Sequence, residues 1–598
     1  MYTDVYELIT TAENDYNTGQ SKLSEFVDFS VKDNVNKIDA YLNSKHITGD
    51  EDALGREKPF FNIVTAAVNV WYRATDIDRS NIRIKGTKSS DHTIAMLANV
   101  KSKEWMRKSN FGVFLNDWGR TLAAYGSAVL KFVEKDGDLT AQVIPWNRLI
   151  VDSIEFEGNP VIEKYYLTPS QLRKNKSYDP EVVQSLLTST QSRETLEGSQ
   201  KDNKTNYIEI YEVHGELPSS WLEKEEGYID EDDETYTQQV HICSFVQNKD
   251  GEMQNHTLYS GKERDPYMIT HLIKQDGRVM GIGAVEHLFE AQWMVNHNEK
   301  NIKDVLDFVS KVVLQTADPN YQGQNSYALD TGTILYHEPN APITKLDNSS
   351  SEIVSLMNSK QSWQTLGSDI TSTPDAIKGN NMPSGTAARQ VEALQQESHS
   401  LFELMTENKG LDIEAMWRRF VIPHIKKQLD TKDEVVAVLD DYNIREIDQA
   451  YIPNEARRRE NARIKKEMFA LAAAPLDSDT PFPATSDLPN AEAAVTQELK
   501  PMGNQRYFSP SDSDDKTWKQ AFEGFEWDCE VEVTNETHNK EATLTTLSTV
   551  FQQLASMQDF DNARLVLNKV LEETGVFSPM ELSHTVNAPK PQLPQPVT

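Results

Sequence analysis

The sequence predicts an α+β chain in which helix predominates, and three observations carry that expectation. Apolar residues recur at helical spacing in long stretches, as at Ile302, Val305, Leu306 and Val309. Shorter runs alternate apolar and polar residues, as in Tyr207-Ile-Glu-Ile-Tyr-Glu-Val213. Asp136-Gly137 stands between two such runs, a strong local signal for a hairpin turn.

At 598 residues the chain has room for roughly four average domains. Hydrophobic residues at 38% and charged ones at 26% place it among globular chains rather than disordered ones. No stretch approaches the ~18–20 apolar residues that cross a bilayer. The opening Met-Tyr-Thr-Asp-Val-Tyr-Glu lacks a basic region and an apolar core, so the protein is expected to stay in the cytoplasm where it is made. Cys243 and Cys529 are the two cysteines, which excludes a disulfide framework and predicts two buried thiols. The net charge of −33 is opposite to that of a tight nucleic-acid binder, which needs cations to displace counterions from phosphate. Such acidity suits either a wall that DNA slides past without adhering or solubility alone.

Residues 1–50 carry helical periodicity in pieces, with Val5, Leu8 and Ile9, then Leu23, Phe26 and Val27, then Ile38 and Leu42. Lys58–Tyr72 is apolar almost all round and predicts a helix buried on most sides; Asp76–Lys85 alternates like a strand. Helices are expected near Thr93–Lys108 and Gly112–Ala124. The hairpin Ser127–Val133 with Ala141–Trp146 follows, then strand-like Leu149–Asp152. Thr168–Thr205 reads as helix plus loop, and Gln239–Val246 pairs with a strand around His256–Tyr259. The run 223–234 is densely acidic and reads as an exposed loop, a cation site or a docking patch for a basic partner. Ser400–Leu429 is helical, weakened at Gly410 and kinked at Pro423. Glu434–Leu439 is β-like. Asn454–Lys466 is the most basic segment, readable as a solvated or subunit-bridging helix or as a DNA contact. Residues 474–516 read as linker, Cys529–Val533 as a strand, and Glu541–Glu573 as two amphipathic helices.

The chain is organised around Gly277–Gln396. A glycine-hinged helix, Ala284–Ser310, ends in the apolar stripe named above, while its middle, Asn296–Asn301, is polar all round and is expected to border water. A more polar helix is expected over Ser350–Asp369. The β-prone runs Lys311–Gln315 and Gly332–Tyr336 lie between them, so that the two helices carry a small sheet at their tips. Then come the Gly/Asn/Pro/Ser loop Thr373–Thr386 and a helical run from Ala387.

In that order these motifs resemble the portal protein of tailed double-stranded DNA bacteriophages, across most of residues 55–430 and more weakly in the C-terminal helices. The resemblance implies a portal fold: N-terminal arm and wing (1–280), first stem helix (281–310), clip (311–348), second stem helix (349–370) and tunnel loop (371–386). A long wing helix (387–430), the C-terminal part of the wing with a linker (431–535), crown helices (536–578) and a flexible tail (579–598) would follow. It implies a twelve-subunit ring at one capsid vertex, the channel for genome packaging and ejection. Its partners would be passing duplex DNA, the major capsid protein, the terminase large subunit and then adaptor or tail proteins, with scaffold protein a further candidate. The protein would sit in the virion, and in the host cytoplasm during assembly.

By the same resemblance, the tunnel loop would comprise Lys378, Gly379, Asn380, Asn381, Met382, Pro383, Ser384 and Gly385. Asn296, Glu299, Lys303 and Asp307 are the channel-lining candidates on the stem. Ile302, Val305, Leu306 and Val309 would pack either between subunits or within one. Lys311, Asp318, Tyr321, Tyr327, Asp330 and Tyr336 would form the clip surface that terminase and adaptor contact.

No catalytic apparatus, cofactor or metal site emerges from the sequence. Gly379–Thr386 has five residues between its glycines instead of four and no lysine before the threonine, so it does not match a phosphate loop. Gly281-Ile-Gly283 lacks the remainder of a dinucleotide fingerprint, and the 13 histidines include no zinc spacing. The competing reading is a non-portal virion structural or scaffold protein that binds partners through acidic loops. If the tunnel-loop role holds, deleting Asn380–Ser384 leaves ring assembly intact but lowers the yield of packaged genome; normal yield removes that role.

Overall fold

In a computed structural model the chain is a mixed α+β protein in which helix outweighs strand. The structure describes residues 4–19, 29–77, 79, 82–86, 92–135, 137–196, 207–222, 235–247, 253–310, 314–317, 319, 338–345, 352–373, 388–429, 435–438, 441–473, 487–503, 505–508, 517–523, 527–531, 548–553 and 556. The acidic run 223–234, most of the expected crown and the tail lie outside those residues.

Helix α1 (Val5–Thr18) starts where the Asp4 carboxylate accepts from Glu7 N and ends at Gly19, whose φ of 68° suits glycine. Helix α2 (Val31–Leu42) is capped by Ser30. Helix α3 spans Val64–Ala74, shorter than the sequence predicts. Phe61 and Ile63 stay out of it because side chains from elsewhere bind their backbone, as described below. Strand β1 (Ile82–Gly86), α4 (His92–Lys108) and α5 (Phe111–Tyr125) follow. The hairpin of β2 (Ser127–Lys135) and β3 (Asp138–Ile144) turns at Gly137, φ 85°.

Next come β4 (Leu149–Ile150), β5 (Val161–Leu167), α6 (Pro169–Lys174), opened by a Thr168/Gln171 capping box, and α7 (Pro180–Leu196). Strands β6 (Ile208–Pro218), β7 (Tyr236–Gln247), β8 (Met253–Lys262) and β9 (Tyr267–His271) lead to the short α8 (Ala284–His287) and to α9 (Phe289–Val309). The two-residue strands β10 (Leu314–Gln315) and β11 (Thr344–Lys345) pair with each other. Helices α10 (Glu352–Ile370) and α11 (Ala388–Met416) follow, then a π-helical segment Trp417–Val421, α12 (Ile422–Leu429) and β12 (Val435–Val438). The chain continues through α13 (Asp441–Ala473), α14 (Leu488–Leu499), β13 (Gln505–Phe508), α15 (Trp518–Glu523) and β14 (Trp527–Val531).

The chain divides into two compact units: residues 1–76 with 113–412, and residues 77–112 with 413–598. In the first, a five-stranded antiparallel sheet runs β4-β5-β6-β7-β8 beside a three-stranded one, β3-β2-β9. Alternation along β6 sets the larger sheet's two faces. Tyr211 and Val213 pack with Val5, Leu8 and Ile9 of α1, while Ile208 and Ile210 pack with Val183, Leu186 and Leu187 of α7. The sheet is therefore covered by α1 on one face and by α7 on the other. Cys243 is buried on the α1 face, where burial pushes its thiol up to about 11.

A buried charge network involves both sheets. The Lys131 ammonium on β2 donates to Glu163 (2.7 Å) and Glu212 (2.9 Å), Tyr267 donates to Glu163 at 2.9 Å, and His214 bonds Glu212 at 2.7 Å. Each carboxylate has partners, which a buried charge requires. Despite burial, the His214 bond and the Lys131 charge hold Glu212 down to about 2.

In the second unit β1 pairs with β14 and β12 with β13. Trp417 is fully buried, donates to Ser102 Oγ at 2.9 Å and meets Trp105 and Phe111 edge-on. Here the structure corrects the expected kink at Pro423. The irregularity lies just before it, as the π-helical segment 417–421, because Pro423 has no N–H to give to the carbonyl of Arg419. Gly410 does not interrupt α11. The expected linker over 474–516 is corrected too: it contains α14 and β13, the latter paired across the sequence with β12.

Burial also makes the first unit acid-sensitive. It depresses His241 and His271 to about 4, so both stay neutral when folded but take up protons near pH 6.5 when unfolded. Their stabilisation is therefore lost as pH falls from 6.5 to about 4. His256 and His287, also lowered by burial, act with the same sign. Asp412, pushed up to about 8 by burial, opposes them over the same window, leaving a net uptake of about one proton on unfolding. Stability should fall by about 1 kcal/mol per pH unit between pH 6 and 5. Denaturant midpoints at the two pH values check this; an unchanged or higher midpoint at pH 5 contradicts it.

Candidate functional site

The site is the pair α9–α10, and three glycines set its root. Gly126 follows α5 with φ 75°, and a Cβ there would lie 2.4 Å from the Ile282 carbonyl carbon. A Cβ on Gly283 would lie 2.2 Å from Ala124 O, and one on Gly281 would lie 2.4 Å from Ile273 O. Only glycine allows these backbones to touch. Gly281 N donates to Ser127 Oγ at 2.6 Å. Arg278 then locks the turn into α8: its guanidinium binds Glu286 through two bonds of 2.7 and 2.6 Å and donates to Gly281 O. Asn34 of α2 donates to the same glutamate at 3.1 Å.

The far end of α10 returns to this root. Trp71 Nε1 donates to Thr371 O at 2.8 Å, and the Trp71 ring packs on His287. Gly367 lets α10 approach closely, since a Cβ there would meet Leu288 Cδ2 at 2.9 Å.

Along the rod Leu288, Ala291, Val295 and Ile302 form a buried apolar stripe on the side of α9 that carries Asn298, and polar side chains add specific bonds to it. Gln292 is fully buried, and Asn296 and Asn298 are 5% and 4% exposed. Gln292 Oε1 accepts from Ile63 N at 3.0 Å and its Nε2 donates to Phe61 O at 2.8 Å. Asn296 Oδ1 accepts from Phe61 N and from Gln292 Nε2, both at 3.0 Å. The two amides thus bond the exposed backbone of residues 61–63 as a neighbouring strand would.

Toward α10, Asn298 donates to Ser359 Oγ at 3.1 Å, and the Lys360 ammonium binds Glu299 at 2.6 Å while lying 4.2 Å from the Phe61 ring centroid. Higher up, Lys303 donates to Glu57 O, and Arg56 binds Asp304 at 3.1 Å. The Arg56 backbone N–H, with help from its guanidinium and Leu54 N–H, holds the Asp52 carboxyl down to about 2. A strap, residues 52–63, therefore runs along α9 and meets α10 at Phe61, whose ring lies beneath Lys360.

This geometry revises the expectations for α9. The polar stretch 296–301 does not border water throughout, because Asn296 and Asn298 are consumed by the seam. As a channel-lining candidate Asn296 is corrected: it is buried inside the subunit. Glu299 is tied to Lys360, whereas Lys303 and Asp307 are exposed. The stripe Ile302, Val305, Leu306 and Val309 is divided: Ile302 is buried, Val305 and Val309 are half-buried, and Leu306 is 48% exposed. The tunnel-loop residues 378–385 and the clip residues Lys311, Asp318, Tyr321, Tyr327, Asp330 and Tyr336 lie outside the described residues. Of the two expected β-runs, only Leu314–Gln315 of the first is described, and its partner is Thr344–Lys345.

The surface of α10 carries the features that sequence reading missed. At about 100° per residue, exposed Asn358, Ser362, Thr365 and Asp369 share one stripe about 60° wide. Val354 and Met357, 62% and 57% exposed, flank it on one side; Leu366 and Ile370, 44% and 46% exposed, flank it on the other. The flanks are centred about 170° apart round the helix, with α9 covering the fourth side. Ser362 and Thr365 turn their hydroxyl protons onto the carbonyls of Asn358 and Gln361, at 3.0 and 3.1 Å, so their oxygens present lone pairs outward. The signal was available as apolar pairs at i, i+3 and i, i+4 apart from Ile353, Leu356 and Trp363, which mark the inner side of the same helix.

Chemically the site offers acceptors, amides and ion pairs. Among the described residues no group of three or more His, Cys, Asp or Glu is placed to hold a metal ion, and no helix is long and apolar enough to cross a membrane.

The seam predicts a large cost at a polar residue. Asn296→Ala leaves the Phe61 N–H without its buried acceptor and should destabilise the protein by about 2–3 kcal/mol, whereas Asp307→Ala on exposed surface should stay within about 0.5 kcal/mol. Thermal unfolding of both variants beside the parent checks this, and equal shifts contradict it. No protein-family model matches the chain, and no curated protein matches it.

Proposed function

We propose that this chain is the ring-forming portal subunit of a tailed double-stranded DNA bacteriophage, the conduit through which the genome is packaged and ejected. The observation that carries the reading is α10: two separate apolar edges on either side of a polar stripe, with its remaining side packed on α9. A closed ring joins one face of each subunit to a different face of the next, and a helix with two unlike uncovered edges suits that requirement. The stripe between them would then face the lumen.

On this reading the lining comes mainly from Asn358, Ser362, Thr365 and Asp369 of α10 rather than from Asn296 and its neighbours on α9. A surface of carboxylate and outward lone pairs offers phosphate few donors, and the chain's net charge of −33 acts in the same direction. DNA would pass without a deep electrostatic well along its path. The ring is proposed as a dodecamer, with capsid protein, terminase and later adaptor or tail proteins as partners, and with the hydrolysis supplied by the terminase.

Negative-stain microscopy of the purified chain tests this. The reading expects closed rings whose hole exceeds the ~20 Å of a DNA duplex, and loss of rings in L366S/I370S with an unchanged melting curve. Monomers or irregular aggregates of the parent at every salt concentration would overturn it and favour a non-ring structural protein.

A further inference from the structure

The basic segment of α13 presents a second outward face. Its arginines are partly neutralised along the helix: Arg459 binds Glu455 at 2.9 Å and Glu498 of α14 at 2.8 Å, and Arg463 binds Glu460 and Glu467, each at 2.8 Å. These pairs fix which way the glutamates turn. Glu455 and Glu460 side chains are each 13% exposed, and Glu460 and Glu467 lie on the side opposite the outward arc. That arc, about 120° wide, holds Arg457, Arg458, Lys465, Met468 and Phe469; Arg458 pairs with Glu455 at 3.5 Å, and Glu455 and Lys466 lie about 40° and 60° beyond the Phe469 edge. Phe469 and Met468 are 66% and 53% exposed, and Lys465 lies 6.0 Å from the Phe469 ring centroid. Arg457, Lys465 and Lys466 have no ion-pair partner among the described residues. The patch is about 18 Å long at 1.5 Å per residue.

We infer that this face docks against the surface of a second copy of the same chain. The inference rests on the ring-forming reading above and assigns it a further contact. Two points favour a copy of the chain over duplex DNA. The patch needs a partner with both carboxylates and apolar side chains, and a chain with 93 acidic residues against 60 basic ones offers carboxylates in excess. Phosphates would engage the cations but leave Phe469 and Met468 facing water. Two copies of net charge −33 repel at long range, but beyond about 8 Å that repulsion is screened at physiological salt, so local complementarity decides. The apolar pair contributes the part of the contact that salt does not weaken.

A zero-length carbodiimide, which joins an amine directly to a carboxylate, tests this on the full chain. Isotopically labelled and unlabelled copies are mixed as separated subunits, assembled and cross-linked, and the linked peptides are read by mass spectrometry. Links from Lys465 or Lys466 to acidic residues should appear as mixed-isotope pairs in roughly the statistical proportion. They should drop about tenfold in R457E/R458E and also in Phe469→Ser, with rings or their absence recorded by microscopy in each case. Rings that form while Lys465 and Lys466 link only within their own copy overturn this inference and leave the ring reading standing. Absence of rings removes both. Protection of Lys465 and Lys466 by duplex DNA, insensitive to Phe469→Ser, overturns it in favour of a nucleic-acid contact.

Discussion

The side-chain amide of Gln292 does the work of a strand edge. It accepts from Ile63 N and donates to Phe61 O, and Asn296 one turn further accepts from Phe61 N. Much else follows from that pairing. Residues 61–63 cannot join α3 while their backbone groups are bound this way. Once they lie along α9, the Phe61 ring becomes the platform over which Lys360 of α10 reaches Glu299. Each net bond is worth only about 1 kcal/mol, but leaving one of these buried groups unpaired costs more than making it. The seam is therefore specific rather than strongly stabilising: it fixes one alignment of strap and helices because any shift strands several donors at once. Amides do not titrate, so this alignment does not depend on pH, unlike the buried histidines of the neighbouring sheets.

The root of the rod depends on close backbone approach. Gly126, Gly281 and Gly283 come so near to neighbouring backbone that a Cβ at any of them would overlap it, and Arg278 satisfies the carbonyls left at the turn. Rigid attachment at the base leaves the outer surface of α10 to display its two apolar edges. In the reading proposed here, those edges, and the cationic arc of α13, are the parts of the chain that other copies would complete.

The sequence made the strands and most helices legible where the physics is local. Asp136-Gly137 set a hairpin, the alternation of Ile208, Ile210 and Val213 placed two faces of a sheet, and the 3.6-residue period marked α1, α2 and α9. It failed where a partner is remote in the chain. Asn296 looked like a solvent-facing amide because nothing nearby in sequence reveals that backbone from residue 61 arrives to bond it. Strand β13 looked like linker because its partner β12 lies far upstream, and composition does not encode pairing. Pro423 marked an irregular helix but not its form, since which carbonyls find new partners depends on packing round Trp417. The edges of α10 were read only as polarity, because two apolar pairs on opposite flanks cancel in any measure of one-sided amphipathicity.

Exposure divides the candidate site in a way that spacing could not. Of the residues first singled out on α9, those nearest the root are spent within the subunit, and only the outer ones reach the surface. On the reading proposed here the lining consequently shifts to α10, where Ser362 and Thr365 bond their own helix and would leave little to hold a passing polyanion. The account turns on whether residues 61–63 are held by the amides of α9, and hydrogen exchange resolved to single amides measures that most directly. The Phe61 and Ile63 amides should exchange about 100-fold or more slowly than free peptide, like the interior of a helix; exchange at the free-peptide rate would contradict the seam and the rod built on it.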